Sequence, residues 1–535
     1  MKSGLIQQRG RKIRSQSTWV CVAVAAGLLL AACTGNPAGK SSGASNGSTS
    51  SAGTSSTASP ATGGTVTEAV PTIASLDPQG VSAQDTGTST VAKVVFSRLV
   101  TLGTDRKTFE PQLATKWTTS SDGLTWTFDL NPAARFSDGT PVTANDVKAS
   151  IERVVALKGV SASLFTPIST ITATDDHTLT LTTKTPLGTM LDDLTLLYVG
   201  PADRINQSGF WNKPIGSGPF VVSSFQPGSK AVLTKNPNYW GTPAHLDKIV
   251  LTVIPEVAGQ ITALQTGQVD IVSELPEDQA KTVDSMGNAT VVSSEPGAIL
   301  SIWINNKKSP LSDERVRQAM WEAVDWNTLR KDLYGPTAAP GLAPIASSVF
   351  GYAAQTPYPF DATKAKQLLA QAGVPNGFST SIKFVPTNVP QIQSLLQGAA
   401  TYWAKVGIKV NLIPQQSAVW SKDLKALNWD MTALENTSRT GDADQILGRL
   451  YTSKADRLGF GDAQYDKLVK DAASTVDQAK RQSDYAQAEQ ILWSKAVSIW
   501  PLEIAATYGV NKRVTGLVPD PSSVLDFSTV GVSGS

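Results

Sequence analysis

The chain has 535 residues, 41% apolar and 17% charged, ordinary proportions for a globular protein but too long for one core, so two or three domains are expected. Its formal charge of +2 is unevenly spread. Residues 1–32 hold five basic side chains (Lys2, Arg9, Arg11, Lys12, Arg14) and no acid, leaving 41 basic against 44 acidic residues, about −3. Such a body offers no electrostatic basis for binding nucleic acid.

From the N-terminus, the basic stretch leads into an apolar run from Trp19 to Ala32, broken only by Gly27. At 14 residues the run is short for a membrane span and has the flanks of a secretory leader. It ends Leu30-Ala31-Ala32-Cys33, which resembles a bacterial lipoprotein signal. Cys21 and Cys33 are the two cysteines, and Cys21 falls inside the leader. Cys33 is therefore expected to carry acyl chains that anchor the protein to the outer face of the cell membrane, with the body built without disulfides. Residues 34–64 are small and polar with Lys40 as the single charge, a flexible tether with a reach of roughly 30 Å. Two motifs here, Gly35 to Ser41 (phosphate-loop-like) and Gly43 to Gly47 (nucleophile-elbow-like), lack the strand before and helix after that such motifs need.

Strand and helix signals alternate beyond residue 65. Trp126, Phe128 and Leu130 alternate in a half-buried strand. Thr143, with Asp146 three residues on, caps a helix whose stripe is Val147, Ile151, Val154 and Val155. Leu179 and Leu181 mark another strand. Residues 248–254, a helix ending near Gly267, and residues 269–272 read as one βαβ unit, which predicts a partly parallel sheet. Asp361 caps a helix closed by Gly373, a helix over 391–406 hands over at Gly407 to a strand over 408–413, and long helices follow over 462–474 and 477–497. The fold class is α/β in more than one lobe.

Several segments are similar to those of one family. They are Phe109 to Trp117 with Ser121 to Phe128 and Phe136 to Val147; Pro214 to Phe220, Asn236 to Trp240 and Leu264 to Asp270; Leu311 to Ala319 with Ala323 to Asp325; and Asp361 to Leu369 with Ala372-Gly373. In this order and spacing the chain resembles the bacterial extracellular solute-binding proteins of ABC importers, in the group that takes oligopeptides, dipeptides and nickel chelates. The resemblance implies a two-lobed periplasmic-binding-protein-like fold of type 2, in its large three-subdomain variant. A ligand cleft lies between the lobes, which close by hinge motion. The expected divisions are leader 1–32, lipid-anchored linker 33–64, first-lobe pieces 65–108 and 213–298 around a subdomain 109–212, second lobe 299–497, and a return to the first lobe over 498–535. The expected partners are a small-molecule or peptide ligand, a permease with a separate ATPase, and the membrane through lipidated Cys33. No cofactor is expected, and the protein should be a monomer.

The resemblance also suggests binding positions. In peptide-binding relatives an acidic residue of the second lobe pairs with the peptide ammonium, and the matching stretch here is Asn436 to Leu447. One alignment puts Arg439 at that position, suited to a carboxylate, phosphate or sugar acid. A slip of three residues puts Asp442 there. Asp85, Thr86 and Asn305 fall where relatives approach ligand. Most tryptophans read as core, with one to three expected at the cleft. The body has two histidines, His177 in a predicted hairpin turn and His245 in a loop, neither in a nucleophile context and neither with metal-site spacing. A binding role is expected rather than catalysis. The alternatives are a sensory or adhesive surface lipoprotein, or a binder of an anionic solute or nickel chelate.

Overall fold

A computed structural model describes residues 63–533, apart from residues 84, 160, 388 and 390. The leader, Cys33, the two loop motifs and nearly all of the tether lie outside the described residues.

The predicted local elements are present. Helix Ala144–Leu157 begins at Thr143, where Asp146 Oδ2 accepts the Thr143 backbone N–H at 2.7 Å and its hydroxyl at 2.8 Å. Asp361 caps helix Ala362–Gln371 through the N–H groups of Thr363 and Lys364. Gly407, at φ +92, turns helix Ile392–Lys405 into strand Lys409–Pro414; this left-handed backbone favours glycine. His177 sits in the turn between strands Ile168–Ala173 and Thr178–Thr183.

The βαβ unit has one feature the sequence did not disclose. Strands Lys248–Val253 and Ile271–Val272, joined through helix Val257–Gln265, are not neighbours. The N-terminal strand Thr65–Val70 lies between them, parallel to both, with Thr65 opposite Lys248 and Glu68 opposite Ile271. Together they belong to one eleven-stranded mixed sheet that also includes Phe220–Gln226 and Lys230–Lys235 at one end and Met431–Thr437, Ser379–Phe384 and Lys409–Pro414 at the other. A separate four-stranded sheet over residues 114–183 packs beneath helix Ala144–Leu157 around its own core of Phe128, Phe136, Ile151 and Leu179.

Two long antiparallel strands, Ala289–Ile304 and Ser498–Asn511, run through the large sheet. Their outer halves, Ala289 to Ser293 against Thr507 to Asn511, join the core of Val66, Val70, Ile249 and Tyr508. Their other halves join a larger core containing Trp303, Trp403, Trp429 and Trp500, all fully buried. In that second core Tyr451 Oη accepts from Trp303 Nε1 at 3.2 Å and Trp500 Nε1 at 3.0 Å. The two lobes thus share one sheet, each with its own core against it.

The junction is irregular. The register shifts between Ser293 and Pro296 and again between Pro296 and Ala298, and Pro296 removes a ladder donor. At Gly297 a Cβ would lie 2.3 Å from Pro521 O and 2.4 Å from Pro521 Cβ, so the loop carrying Asp520 packs directly on the strand backbone. Replacing Gly297 with Val must push that loop away. We expect Gly297→Val to lower the melting temperature by several degrees, a cost of about 1–3 kcal/mol, with Gly297→Ala intermediate; an unchanged thermal midpoint would refute this packing.

Candidate functional site

The cleft between the lobes holds a cavity of about 440 Å³. One wall comes from the first lobe: Lys93 near the end of helix Thr86–Val95, Arg98 just beyond it, Arg106 in the turn between strands Val100–Leu102 and Phe109–Pro111, and Tyr198. The loop Val518–Thr529, returning from the C-terminal strand, supplies a second side. The opposite lobe contributes Arg439, Gln445 and Arg449.

Lys93 and Arg106 are held by Asp520. Lys93 Nζ donates to Asp520 Oδ2 at 2.6 Å and to Val524 O at 2.9 Å, and Arg106 Nη1 lies 3.5 Å from Asp520 Oδ1. Burial alone would push the Asp520 carboxyl up, but the two cations hold it down at about 2. Arg106 Nη2 also donates to Ser438 O at 3.1 Å, linking the first lobe to the second. Tyr198 is fixed from behind: Gln79 Nε2 donates to its carbonyl oxygen, and Arg153, bidentate on Asp77 and stacked 4.7 Å from the Trp211 ring, donates to Gln79 Oε1 at 2.9 Å.

The sequence-derived positions separate into two groups. Arg439 lines the cavity. The loop that carries it is shaped by Gln445 Oε1, which accepts the Arg439 and Thr440 backbone N–H groups. Burial lowers the Arg439 pKa, opposed by Tyr198 and Glu274. Asp85 and Thr86 sit at the cavity's shoulder, between Ala83 and Ser89, which line it. Asp85 precedes helix Thr86–Val95, and Thr86 Oγ1 donates to Glu274 Oε1 at 2.9 Å.

Asp442 and Asn305 serve packing instead. Asp442 is 1% exposed and accepts from Arg481 Nη2, from Tyr485 Oη and from the Asp444 N–H. Buried and paired with an internal guanidinium, this carboxylate is not among the residues that line the cavity. Asn305 is buried, its Nδ2 donating to Trp429 O at 3.0 Å and Leu427 O at 3.3 Å, which closes the end of its strand. The expectation of tryptophan at the cleft fails too: the aromatic side chain lining the cavity is Tyr198. Sequence reasoning missed Lys93, Arg98, Arg106 and Asp520, which become neighbours only when the C-terminal loop folds back.

Near Asp442 lies an unbalanced charge cluster. Arg481, packed 5.0 Å from the Phe350 ring centroid, lies 3.7 Å from Asp192 of the first lobe, beside Asp193, Asp442 and Asp444. Burial and the neighbouring acids raise Asp192 and Asp193 well above the usual carboxylate range. Asp444 is pushed up to about 7, by burial first and then by Asp442. An acid whose pKa is raised in the fold contributes stability at low pH that is lost as pH rises through the folded-state value. Asn cannot ionise, so Asp444→Asn should gain on wild type between about pH 4 and pH 7, reaching about 1–3 kcal/mol. Melting curves at pH 4.5, 6 and 7.5 test this: a difference that does not vary with pH would overturn it.

Comparison with known proteins matches residues 108–457 to the model of the bacterial extracellular solute-binding proteins, family 5 (middle region). The probable D,D-dipeptide-binding periplasmic protein DdpA of Escherichia coli (strain K12) is 29% identical over 470 residues, 83% of this chain and 90% of that protein. The glutathione-binding protein GsiB of Pectobacterium atrosepticum is 28% identical over 479 residues, 85% of this chain and 91% of its own. Among solved structures, AgaA of A. tumefaciens R10 in complex with agropinic acid superposes with a TM-score of 0.72 at 26% identity, covering 88% of this chain and 99% of its own. The chain belongs to the family 5 extracellular solute-binding proteins and has their periplasmic-binding-protein fold.

Proposed function

We propose that the protein is the capture component of an ABC importer, taking a small peptide or peptide-like solute outside the cell membrane and delivering it to a permease by lobe closure. A cavity of about 440 Å³ walled by both lobes, with paired strands as their covalent link, carries this reading. That volume lies within the range of sites for ligands of a few hundred daltons. The relatives' named ligands, a dipeptide, glutathione and agropinic acid, are of that size. The energy for transport comes from the partner ATPase.

Lobe closure couples binding to shape and to stability. The protein should bind at least one member of a panel of di- to tetrapeptides, glutathione, opine acids and nickel chelates. At ligand concentrations near one hundred times Kd the added stability is about 2.7 kcal/mol, worth several degrees in melting temperature for a chain this large. The radius of gyration from solution scattering should fall on binding. Absence of any thermal shift across the panel would refute the reading.

We further propose that Cys33 bears the lipid anchor, supported by the basic residues and the apolar run Trp19 to Ala32 before it. Cells fed an alkyne fatty acid should label the wild-type protein, and Cys33→Ala should lose the label and leave the membrane fraction. Equal labelling of the variant would place the anchor elsewhere.

A further inference from the structure

We propose that lobe closure in this protein takes up protons. Asp192 and Asp193 of the first lobe meet Asp442 and Asp444 of the second around one guanidinium, Arg481, so that acidity favours the closed form and alkalinity opens it. The proposal goes beyond solute capture, since it concerns what sets the lobes' position before any solute arrives.

Each side of this seam is built separately. On the second lobe Arg481 Nη2 donates to Asp442 Oδ2 at 2.5 Å, while Asp442 Oδ1 accepts from Tyr485 Oη at 3.2 Å and from the Asp444 N–H at 2.8 Å. That guanidinium is already matched by one carboxylate of its own lobe. On the first lobe, helix Met190–Leu194 presents Asp192 and Asp193, which are 4% and 6% exposed. Asp193 Oδ2 accepts from Thr189 Oγ1 at 2.9 Å. Asp192 Oδ2 stands 3.7 Å from Arg481 Nη1 and has no hydrogen-bond partner among the described residues. The backbones meet closely beside them. The Gly188 N–H donates to Ala473 O at 2.8 Å, and a Cβ on Gly188 would lie 2.0 Å from Thr475 O and 3.0 Å from Arg481 Nε.

The other charged and titratable groups around the seam leave this imbalance in place. Arg449, on the same helix as Asp444, acts on Asp444 less than Arg481 does. Lys480 is engaged with Asp484, and Arg106 with Asp520 and Ser438 O. Arg98 touches the end of the Asp192 helix only through Thr195 O, at 3.5 Å. Burial keeps Tyr465 and Tyr485 protonated. Closing therefore carries two carboxylates out of water towards a guanidinium that is already paired, and a proton on each removes the charge that desolvation penalises. Burial first, and then the facing acids, hold Asp192 and Asp193 well above the usual carboxylate range in the closed form. In the open form they face water, where an aspartate titrates near its ordinary value of about 3.9. A group whose pKa is higher in the closed form stabilises that form below the open-state value, and the stabilisation is lost as pH rises through the closed-state value. The closure equilibrium thus weakens with rising pH by up to about tenfold per pH unit for each proton taken up.

The test is small-angle neutron scattering by the full, solute-free chain in contrast-matched detergent between pH 8 and pH 5, with a melting curve at each pH to show that the protein is folded. The wild-type radius of gyration should fall on acidification. The double variant Asp192→Asn with Asp193→Asn brings no charge to the seam at any pH, so it should already be compact at pH 8 and stay so. Asp444→Asn is the control. Asp444 belongs to the second lobe in both forms, and the charges that act on it most, Asp442 and Arg481, travel with it, so this variant should keep the wild-type response. If the double variant does not fold, the single variants take its place, and each should reduce the response. A wild-type radius that does not change with pH overturns the proposal. So does a folded double variant that responds as wild type does, which would transfer the effect to another facing pair such as Glu435 and Glu274. Either failure leaves the solute-capture reading untouched, because no solute is present.

Discussion

The chain passes between its lobes twice, and both passages run along one pair of strands, Ala289–Ile304 and Ser498–Asn511. Everything else between the lobes is non-covalent. These strands must therefore be stiff within each lobe, so that each core moves as a body, and soft where the lobes meet. The two demands are met by composition. In the second lobe the strands carry one further register shift, between Leu300 and Ile302, but are locked by the burial of Ile299, Leu300, Ile302, Ile499 and Leu502. At the junction Pro296 donates no hydrogen bond, and the register slips on both sides of it. A bend there breaks no regular ladder, so its energetic cost is low compared with bending either half.

Contacts that cross the cleft are correspondingly weak, while strong ones stay within a lobe. The tight Arg481 to Asp442 pair joins two residues of the second lobe and survives opening. What crosses is the Arg481 to Asp192 approach at 3.7 Å, with single hydrogen bonds such as Arg106 to Ser438 and Gly188 to Ala473. Closure also brings Asp192 and Asp193 towards Asp442 and Asp444, and one guanidinium cannot neutralise four carboxylates. The interface gains apolar burial and a few hydrogen bonds, and gives part of that back as carboxylate desolvation. Such an offset suits a receptor whose ligand decides the closed state, because a ligand shifts an equilibrium only by its differential affinity.

Much of the fold was legible because its signals are local. The Thr143–Asp146 cap, the Asp361 cap and the Gly407 turn each depend on residues a few positions apart, and each formed as expected. The placement of Thr65–Val70 between the two strands of the βαβ unit was not legible, since no local signal says which strand fills a gap in a sheet. The site was least legible. Arg439 could be placed at the cleft through a motif, but the same motif offered Asp442, and only the position of Arg481, thirty-nine residues on, shows that Asp442 is already occupied.

This division has a physical cause. The segments that carry the family resemblance are turns, caps and tight backbone approaches: Gly216 and Gly218, for example, lie where a Cβ would fall 2.0 Å and 2.4 Å from the carbonyl oxygens of Val95 and Val94. Such positions tolerate one residue type for steric reasons, whatever the ligand. Cavity-lining side chains face no such constraint. Lys93, Arg98, Tyr198, Arg439 and Asp520 come from four separated stretches and line the cleft. One scaffold can thus present quite different charges to its solute. What distinguishes one ligand from another is therefore not any of these motifs but the side chains that line the cleft.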